Sequence, residues 1–500
     1  MKYSYPLNKI IEKEIACDKI AIIGSDRQFT WEELVNVAEC VGELVTQLNI
    51  PQGHPVLVYG HKEALFPAIL LGLMLKNIPY IPIDKIYPVD RIKRIIEIAE
   101  AQVLFNCGNY QLDLSTPIII NKDLKIHKRV NPDFSITYGS KEDPVRYIIF
   151  TSGSTGEPKG VQITHQALCS FMEWVNNDFG ITTNDVYMNQ APFSFDLSVY
   201  ELSMYLHFGG TLVLNEITLN IDRAAFIARL KEYNQSVWVS TPSFAYLFLR
   251  EDLFNTHNLP AIKIFLFCGE TLPVQTAQRL LILFPNARVL NTYGPTEATV
   301  ATTIVNITPD VIKKYPSFLP VGYCKKASQL VIKNESDNPG EAGDIVIVGD
   351  NVSIGYLKRP ELNEKSFFTY NKRRAYNTGD QGYIKDDMLF FLGRNDDQVK
   401  LHGYRIELDE ISTQLKYHPL IDEVATIPLK KGTEVVRIIS YVLLKDKTTK
   451  STKEELIEFL SHKLPIYMLP SDIRFINELP YNNNFKIDRK KLAEMYITGK

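Results

Sequence analysis

Helix-like and strand-like patterns of apolar residues alternate along the early part of the chain. The segment "TWEELVNVAECVGELVTQL" places a set of apolar residues on one helical face: Leu34, Val37, Ala38, Val41, Leu44, Val45 and Leu48. Thr30 and Glu33 form a capping-box pattern at its start. The segments that follow, "PVLVYG" and "EALFPAILLGLML", are continuous apolar runs typical of a buried strand and a buried helix. This alternation predicts an α/β fold with mainly parallel strands.

Three later strand-like segments each end in small polar residues. They are "SVWVSTP", "IKIFLFCGE" and "ARVLNTYG". A fourth run, "RYII", leads into a polar loop that begins at Thr151. Because ligands bind at the carboxyl ends of strands in open α/β sheets, these four endings are expected to form the walls of one cleft.

The pattern changes after Arg394. The segments "RIELDEISTQL" and "TKEELIEFLSHKL" have helical periodicity, whereas "EVATIPL", "VRIISYVLL" and "DIRFINEL" are typical of strands. The predicted fold class is therefore a large α/β domain, with mixed and parallel sheets and flanking helices, followed by a small α+β domain. We place the boundary in "GRNDDQ", with domains at residues 1–395 and 396–500.

Composition is typical of a globular protein and gives no indication of a nucleic-acid or membrane partner. The 500 residues, with 45% hydrophobic and 23% charged residues, are typical of a globular protein of roughly two to four domains. A net charge of −3 gives no electrostatic reason to expect nucleic acid or an anionic membrane as partner. The six cysteines show no CxxC spacing, which argues against a structural metal site. The N-terminus carries charges where a signal peptide would need an apolar run. The longest apolar run, which begins at Ala64, is too short to insert in a membrane. A cytoplasmic location is expected.

The loop "TSGSTGEPKG", from Thr151 to Gly160, has the composition of a phosphate-binding loop. Glycines permit positive φ angles, so the backbone N–H groups and the hydroxyls can converge on a polyanion, and Lys159 adds a positive charge. The loop lacks the Gly-Lys-Ser/Thr sequence of a Walker A motif. On composition alone, a flexible surface turn is an equal alternative.

Further polar residues follow in strand-end segments. "NTYGPTEATVA" contains Tyr293, whose ring could face a base, and Glu297, whose carboxylate could hold a metal ion that bridges phosphates. "YNTGDQG" contributes Asp380, which suits two sugar hydroxyls, and "FLGRNDDQ" contributes Arg394. Lys486 lies near the chain end in "NNNFKIDRKKL", where a lone lysine would ordinarily be a surface residue.

In order and spacing these motifs resemble the adenylate-forming superfamily of acyl-CoA synthetases, luciferases and adenylation domains of nonribosomal peptide synthetases. The resemblance runs from "FTWEEL" to "KIDRKKL". It implies that the loop grips the β- and γ-phosphates of ATP, a substrate here, and that Glu297 binds Mg²⁺. It also implies a catalytic role for Lys486 and a hinge at Asp396. The implied ATP-binding residues are Thr151, Ser152, Gly153, Ser154, Thr155, Gly156, Lys159, Asn291, Thr292, Tyr293, Gly294, Pro295, Thr296, Asp380, Phe391, Leu392, Gly393, Arg394 and Lys486. One departure is Phe485, where the superfamily usually has glycine before the lysine.

The segment "NQAPFSFDLSVYEL" indicates an amino-acid substrate. In the amino-acid-activating members that it resembles, the aspartate corresponding to Asp196 pairs with the substrate ammonium; a helix-capping role is the alternative. Together with Cys268 in "FLFCGETLP", it resembles the D-alanine–D-alanyl carrier protein ligases, which serve teichoic acid D-alanylation. The amino-acid pocket implied by the resemblance consists of Asp196, Cys268, Gly294 and Val300.

The expected partners are D-alanine, ATP and the phosphopantetheine thiol of a D-alanyl carrier protein. Since the sequence ends after the small domain, that carrier is expected to be a separate protein. Three alternatives stay open: a free-standing adenylating enzyme for another small amino acid, an acyl-CoA synthetase and a non-catalytic ATP-binding protein.

Overall fold

A computed structural model of the chain describes residues 18–498 except for 112–113, 115–117, 129–130, 154–155, 217–221, 337, 395–397, 432–433, 446–450 and 481–486. Its strands form two large mixed sheets, an antiparallel five-stranded sheet, a hairpin and a three-stranded sheet. None of the helices in these residues is long and apolar enough to cross a lipid bilayer. The predicted fold class, a large α/β part followed by a small α+β part, is confirmed.

The nine-stranded sheet is parallel in its centre and antiparallel at both edges. From edge to edge its strands are β16 (Tyr323–Cys324), β15 (Thr303–Ile307), β14 (Arg288–Tyr293), β13 (Ile264–Phe267), β12 (Val237–Ser240), β10 (Val186–Asn189), β11 (Thr211–Leu214), β1 (Ile20–Ile23) and β2 (Gln28–Thr30). Ser240 pairs with Phe267 and Phe267 with Asn291, so the carboxyl ends of three strands are level. These are the three strand ends that the sequence predicts as cleft walls.

The seven-stranded sheet follows the same plan. Its strands are, in order, β7 (Ile126–Lys128), β6 (Ile118–Ile120), β5 (Val103–Asn106), β3 (Val56–Gly60), β4 (Tyr80–Asp84), β8 (Val145–Thr151) and β9 (Lys159–Thr164). The strands β8 and β9 are antiparallel, and Thr151 pairs with Lys159. The glycine-rich loop is therefore the connection of a hairpin at the carboxyl end of β8.

Helices flank and separate these sheets. They are α1 (Trp31–Gln47), α2 (Leu65–Leu75), α3 (Val89–Ala99), α4 (His165–Asp178), α5 (Ser198–Phe208), α6 (Arg223–Glu232), α7 (Pro242–Tyr246), α8 (Val274–Leu283), α9 (Pro309–Lys314), α10 (Pro360–Ser366), α11 (Leu408–Lys416), α12 (Lys453–Ser461) and α13 (Arg489–Thr498). The predicted capping box at Thr30 and Glu33 is present at the start of α1. The apolar helix α2 is buried along nearly its whole length, and its Gly72 allows close approach to Val41 of α1.

The remaining strands form smaller units. The five-stranded sheet contains β17 (Ser328–Lys333), β18 (Gly343–Gly349), β20 (Arg373–Lys385) and β19 (Phe367–Tyr370), with β21 (Met388–Arg394) paired to β20. The last part of the chain contains the hairpin β22 (Gln398–Leu401) and β23 (Tyr404–Glu407) and the sheet of β24 (Ile421–Lys431), β25 (Glu434–Leu444) and β26 (Asp472–Phe475). The domain boundary between residues 395 and 396 falls outside the described residues and stays a prediction.

Candidate active site

A cavity of about 310 Å³ lies at the carboxyl ends of strands from both large sheets. The hairpin β22–β23 of the C-terminal part closes one side of it through Lys400, Gly403 and Arg405. Ten residues predicted from the sequence line this cavity: Thr151, Ser152, Asp196, Cys268, Gly294, Pro295, Thr296, Val300, Asp380 and Arg394. The structure therefore brings together residues that are more than two hundred positions apart in the chain.

The carboxylate of Asp196 is the acidic group of the predicted amino-acid end. It lies in the loop between β10 and α5, and its Oδ2 accepts a hydrogen bond of 2.6 Å from the Thr296 hydroxyl. Burial raises the pKa of Asp196, and the Thr296 hydrogen bond opposes that rise. No side-chain hydrogen bond caps helix α5, whose N-cap is Leu197, so the helix-capping alternative for Asp196 is wrong. A cation bound beside this carboxylate would offset the cost of its burial.

Another part of the cavity wall, which the sequence assigns to the amino-acid pocket, is apolar and closely packed. Cys268 follows β13, and its Sγ lies 3.8 Å from the carbonyl oxygen of Val300. Burial raises the pKa of the Cys268 thiol, which therefore stays protonated and acts as a small apolar group. Val300 has a positive φ of 68°, a strained conformation for a β-branched residue. A Cβ at Gly294 would lie 2.4 Å from the Cα of Ala301, so only glycine allows this wall.

Asp380 is the centre of the predicted nucleotide end. Its Oδ2 accepts a hydrogen bond of 2.6 Å from the hydroxyl of Tyr293, and its Oδ1 pairs with Arg394 Nη1 at 2.5 Å. The ring of Phe391 lies against that of Tyr293, with the ring centroids 5.7 Å apart. Phe391, Leu392 and Gly393 lie on β21 and are not part of the cavity wall.

Two further predicted ATP-site residues have side chains that face the interior instead. The Asn291 amide donates to the carbonyl of Pro320, and the Thr292 hydroxyl donates to the carbonyl of Phe267. The Thr292 hydroxyl also accepts a hydrogen bond from Tyr200. Both side chains therefore brace the strand end, and any contact with a ligand would come from their backbone.

The predicted phosphate-binding loop is bound by acidic side chains of the C-terminal part. The ammonium of Lys159 pairs with Glu407 at 3.0 Å, and the backbone N–H of Gly153 donates to Glu410 at 3.0 Å. The loop is also held at Gly156, whose carbonyl oxygen accepts a hydrogen bond from Gln414. Carboxylates thus lie against the groups that the sequence assigns to the phosphates of ATP.

The predicted metal ligand Glu297 is likewise paired with a side chain of the C-terminal part, the cationic Arg405. It is fully buried, and its carboxylate accepts hydrogen bonds from Arg405 at 2.7 Å and Tyr356 at 2.6 Å. Burial alone would raise its pKa, but the Arg405 guanidinium lowers the pKa of Glu297 to about 2. A carboxylate is a suitable ligand type for Mg²⁺, which usually takes one or two carboxylates together with phosphate oxygens and water.

The sequence reasoning missed the individual residues Arg405, Glu407 and Glu410. The sequence does contain a pattern that could have identified them: the segment from Arg405 to Glu410 carries one cation and several acids at the start of a helix. Four residues of the predicted site, Ser154, Thr155, Asp396 and Lys486, lie outside the described residues.

Known proteins resemble this chain along most of its length. The family described as AMP-binding enzyme matches residues 12–357, and the AMP-binding enzyme C-terminal domain matches residues 410–486. Curated D-alanine–D-alanyl carrier protein ligases of Bacillus cytotoxicus and Bacillus anthracis are 41% and 40% identical, each over 95% of this chain and 96% of the relative. The Vibrio cholerae adenylation domain AlmE, in complex with glycyl-adenosine-5'-phosphate, shares the fold with a TM-score of 0.82 and 21% identity, covering 99% of this chain and 97% of that one. The chain therefore belongs to the AMP-binding enzyme family, in the group that includes the D-alanine–D-alanyl carrier protein ligases of Bacillus.

Proposed function

We propose that the chain is an AMP-forming acid–thiol ligase that activates D-alanine with ATP and transfers it to the phosphopantetheine thiol of a D-alanyl carrier protein. The carrier would then supply D-alanine for lipoteichoic acid. The similarity to curated ligases over 95% of the chain supports this function. The observation that carries the substrate class is the carboxylate of Asp196, which lines one small cavity together with Cys268 and Val300. Because the reaction consumes ATP, we place it in the cytoplasm.

In the first half-reaction the carboxylate of D-alanine attacks the α-phosphorus of ATP and pyrophosphate leaves. A general base is unnecessary, because an α-carboxylate is already ionised at neutral pH. Asp196 would orient the substrate through its ammonium, and Asp380 would hold the ribose. Lys159 and the N–H of Gly153 would bind the leaving phosphates. Orientation and charge neutralisation therefore account for most of the rate.

Mg²⁺ bound at Glu297 would neutralise charge on the phosphates. Among the described residues, no group of three or more His, Cys, Asp or Glu side chains is arranged to hold a metal ion. A metal at Glu297 would then be held mainly by phosphate oxygens and water.

The two half-reactions, formation of the adenylate and transfer of D-alanine to the carrier thiol, need different positions of the C-terminal part. Lys159 and Gly153 cannot bind the phosphates of ATP while they bind Glu407 and Glu410, and Glu297 cannot bind Mg²⁺ while it pairs with Arg405. The described arrangement therefore suits the stage after pyrophosphate has left, when the carrier thiol attacks the adenylate. We propose that the C-terminal domain turns about Asp396 to bring Lys486 to the same face for the first stage.

Asp196→Asn is expected to raise the KM for D-alanine by about 10²–10³, because removing one partner of a buried charge pair leaves the other uncompensated. The change keeps the size of the side chain and should leave the KM for ATP unchanged. ATP–pyrophosphate exchange at varied D-alanine measures both constants. The exposed Asp310, at the start of α9, provides the matched control Asp310→Asn. An unchanged KM for D-alanine in Asp196→Asn would remove Asp196 from the amino-acid site.

The acceptor is tested by intact-mass analysis of the products. With ATP and D-alanine, a phosphopantetheinylated D-alanyl carrier protein should gain one alanyl group per arm, and free coenzyme A should gain little. Efficient charging of coenzyme A, with an unmodified carrier, would favour the acyl-CoA synthetase alternative.

A further inference from the structure

A fully buried lysine lies behind the amino-acid end of the cavity. Lys62 follows β3 of the seven-stranded sheet, and its side chain has no exposed surface. Its ammonium donates to the carbonyl oxygen of Ala191 at 2.6 Å and to the side-chain oxygen of Asn189. Asn189 is the last residue of β10 in the nine-stranded sheet. One ammonium group thus joins the strand ends of the two large sheets.

The segment that Lys62 holds carries the substrate-binding carboxylate. Ala191 and Asp196 belong to the same loop, residues 190–197, and most of this loop lines the cavity. The ring of Phe193, also in the loop, stacks on Phe66 with centroids 4.7 Å apart and lies 5.1 Å from the Lys62 ammonium. The first residues of the loop are therefore fixed on both a polar and an aromatic side.

Packing alone does not account for a lysine at this position. A buried ammonium is costly, whereas methionine would fill a similar volume without that cost. What lysine adds is a set of directed hydrogen bonds to Asn189 and Ala191. Asn189 also contacts an acid: its side-chain amide donates to Oε1 of Glu201, in the first turn of α5, at 3.5 Å.

Four carboxyl groups act on the buried ammonium of Lys62. Burial lowers the pKa of Lys62 to about 8, and Glu201, Asp84, Glu216 and Glu63 oppose that shift. Burial also raises the pKa of Glu201 to about 8. At that value the Glu201 carboxyl is largely protonated at neutral pH, so its burial costs stability whether or not Lys62 is present. Loss of the lysine removes the hydrogen bonds to Asn189 and Ala191, which predicts a stability defect that can be separated from a binding defect.

We propose that Lys62 is a positioning residue for the amino-acid site, which fixes the loop of residues 190–197 so that Asp196 faces the substrate ammonium. This role rests on the proposed activation of an amino acid. It acts through the loop, because the contacts of Lys62 are with Asn189 and Ala191.

The test compares Lys62→Met with the double variant Lys62→Met/Glu201→Gln in ATP–pyrophosphate exchange and thermal unfolding. Lys62→Met should raise the KM for D-alanine between about tenfold and a hundredfold, the range for losing hydrogen bonds to a charged group, with the KM for ATP unchanged. It should also lower the melting temperature. The double variant also removes the Glu201 carboxyl, which must take up a proton when it is buried at neutral pH, so its melting temperature should recover while its KM for D-alanine stays high.

A second buried lysine supplies the control. Lys325 is only 3% exposed, and its ammonium lies over the ring of Trp174 on helix α4. Lys325→Met should leave the KM for D-alanine unchanged. If Lys62→Met does not fold, the double variant carries the measurement.

A KM for D-alanine that stays normal in Lys62→Met, or that recovers together with the melting temperature in the double variant, would overturn the positioning role. Absence of exchange in the unaltered protein would instead refute the proposed function, so the two failures are distinguishable.

Discussion

Replacing Lys486 with alanine is expected to abolish formation of D-alanyl-adenylate while sparing the transfer of a supplied D-alanyl group to the carrier. In the proposed first half-reaction this lysine stabilises charge on the substrate carboxylate and the α-phosphate. Removing one such preorganised donor costs about 10²–10³ in rate. ATP–pyrophosphate exchange reports the first half-reaction, and charging of the carrier from synthetic D-alanyl-adenylate reports the second.

The matched control for Lys486 is Lys490→Ala, an exposed lysine on helix α13. It should be normal in both assays. Equal losses of exchange and transfer in Lys486→Ala would contradict a division of the two steps between two positions of the C-terminal domain.

Replacing Gly403 with alanine is expected to give the opposite result: transfer falls by roughly tenfold or more, and exchange is retained. Gly403 lies at the tip of the hairpin β22–β23, with a φ of +83° and its N–H donating to Glu270 at 2.6 Å. An added Cβ would lie 2.3 Å from the Cγ2 of Thr241, in addition to the roughly 1–2 kcal/mol cost of a left-handed conformation. These contacts belong to the arrangement that we assign to transfer.

The control for Gly403 is Gly180→Ala. Gly180 follows helix α4, and its φ of +67° makes the backbone cost similar without any contact to the C-terminal part. Its exchange and transfer rates should fall together if they fall at all. A Gly403→Ala protein that loses exchange as strongly as transfer would show that the hairpin serves both steps.

Local patterns in the sequence predicted the elements that build the site. The capping box at Thr30, the strand before Thr151 and the strands that end at Ser240 and Phe267 follow from periodicity and from the chemistry of short segments. Each depends on residues that are close together in the chain, and this is why each could be predicted.

The contacts between distant segments could not be predicted in this way. Lys159 and Glu407 are 248 positions apart, and the bond between Asp196 and Thr296 joins residues 100 positions apart. Lys62 lies in "GHKEAL", whose polar residues are typical of an exposed turn. Its complete burial depends on how two sheets meet, and periodicity within one segment does not report that.

The central claim, activation of D-alanine by ATP at the Asp196 pocket, is tested most directly by ATP–pyrophosphate exchange with D-alanine, L-alanine, glycine and D-serine as sole substrates. Strong exchange with D-alanine and weak exchange with L-alanine is the result that we predict. Strong exchange with another of these amino acids, and little with D-alanine, would retain the adenylating chemistry but contradict the D-alanine assignment. No exchange with any of the four would contradict the account of the amino-acid site, beginning with the role of Asp196.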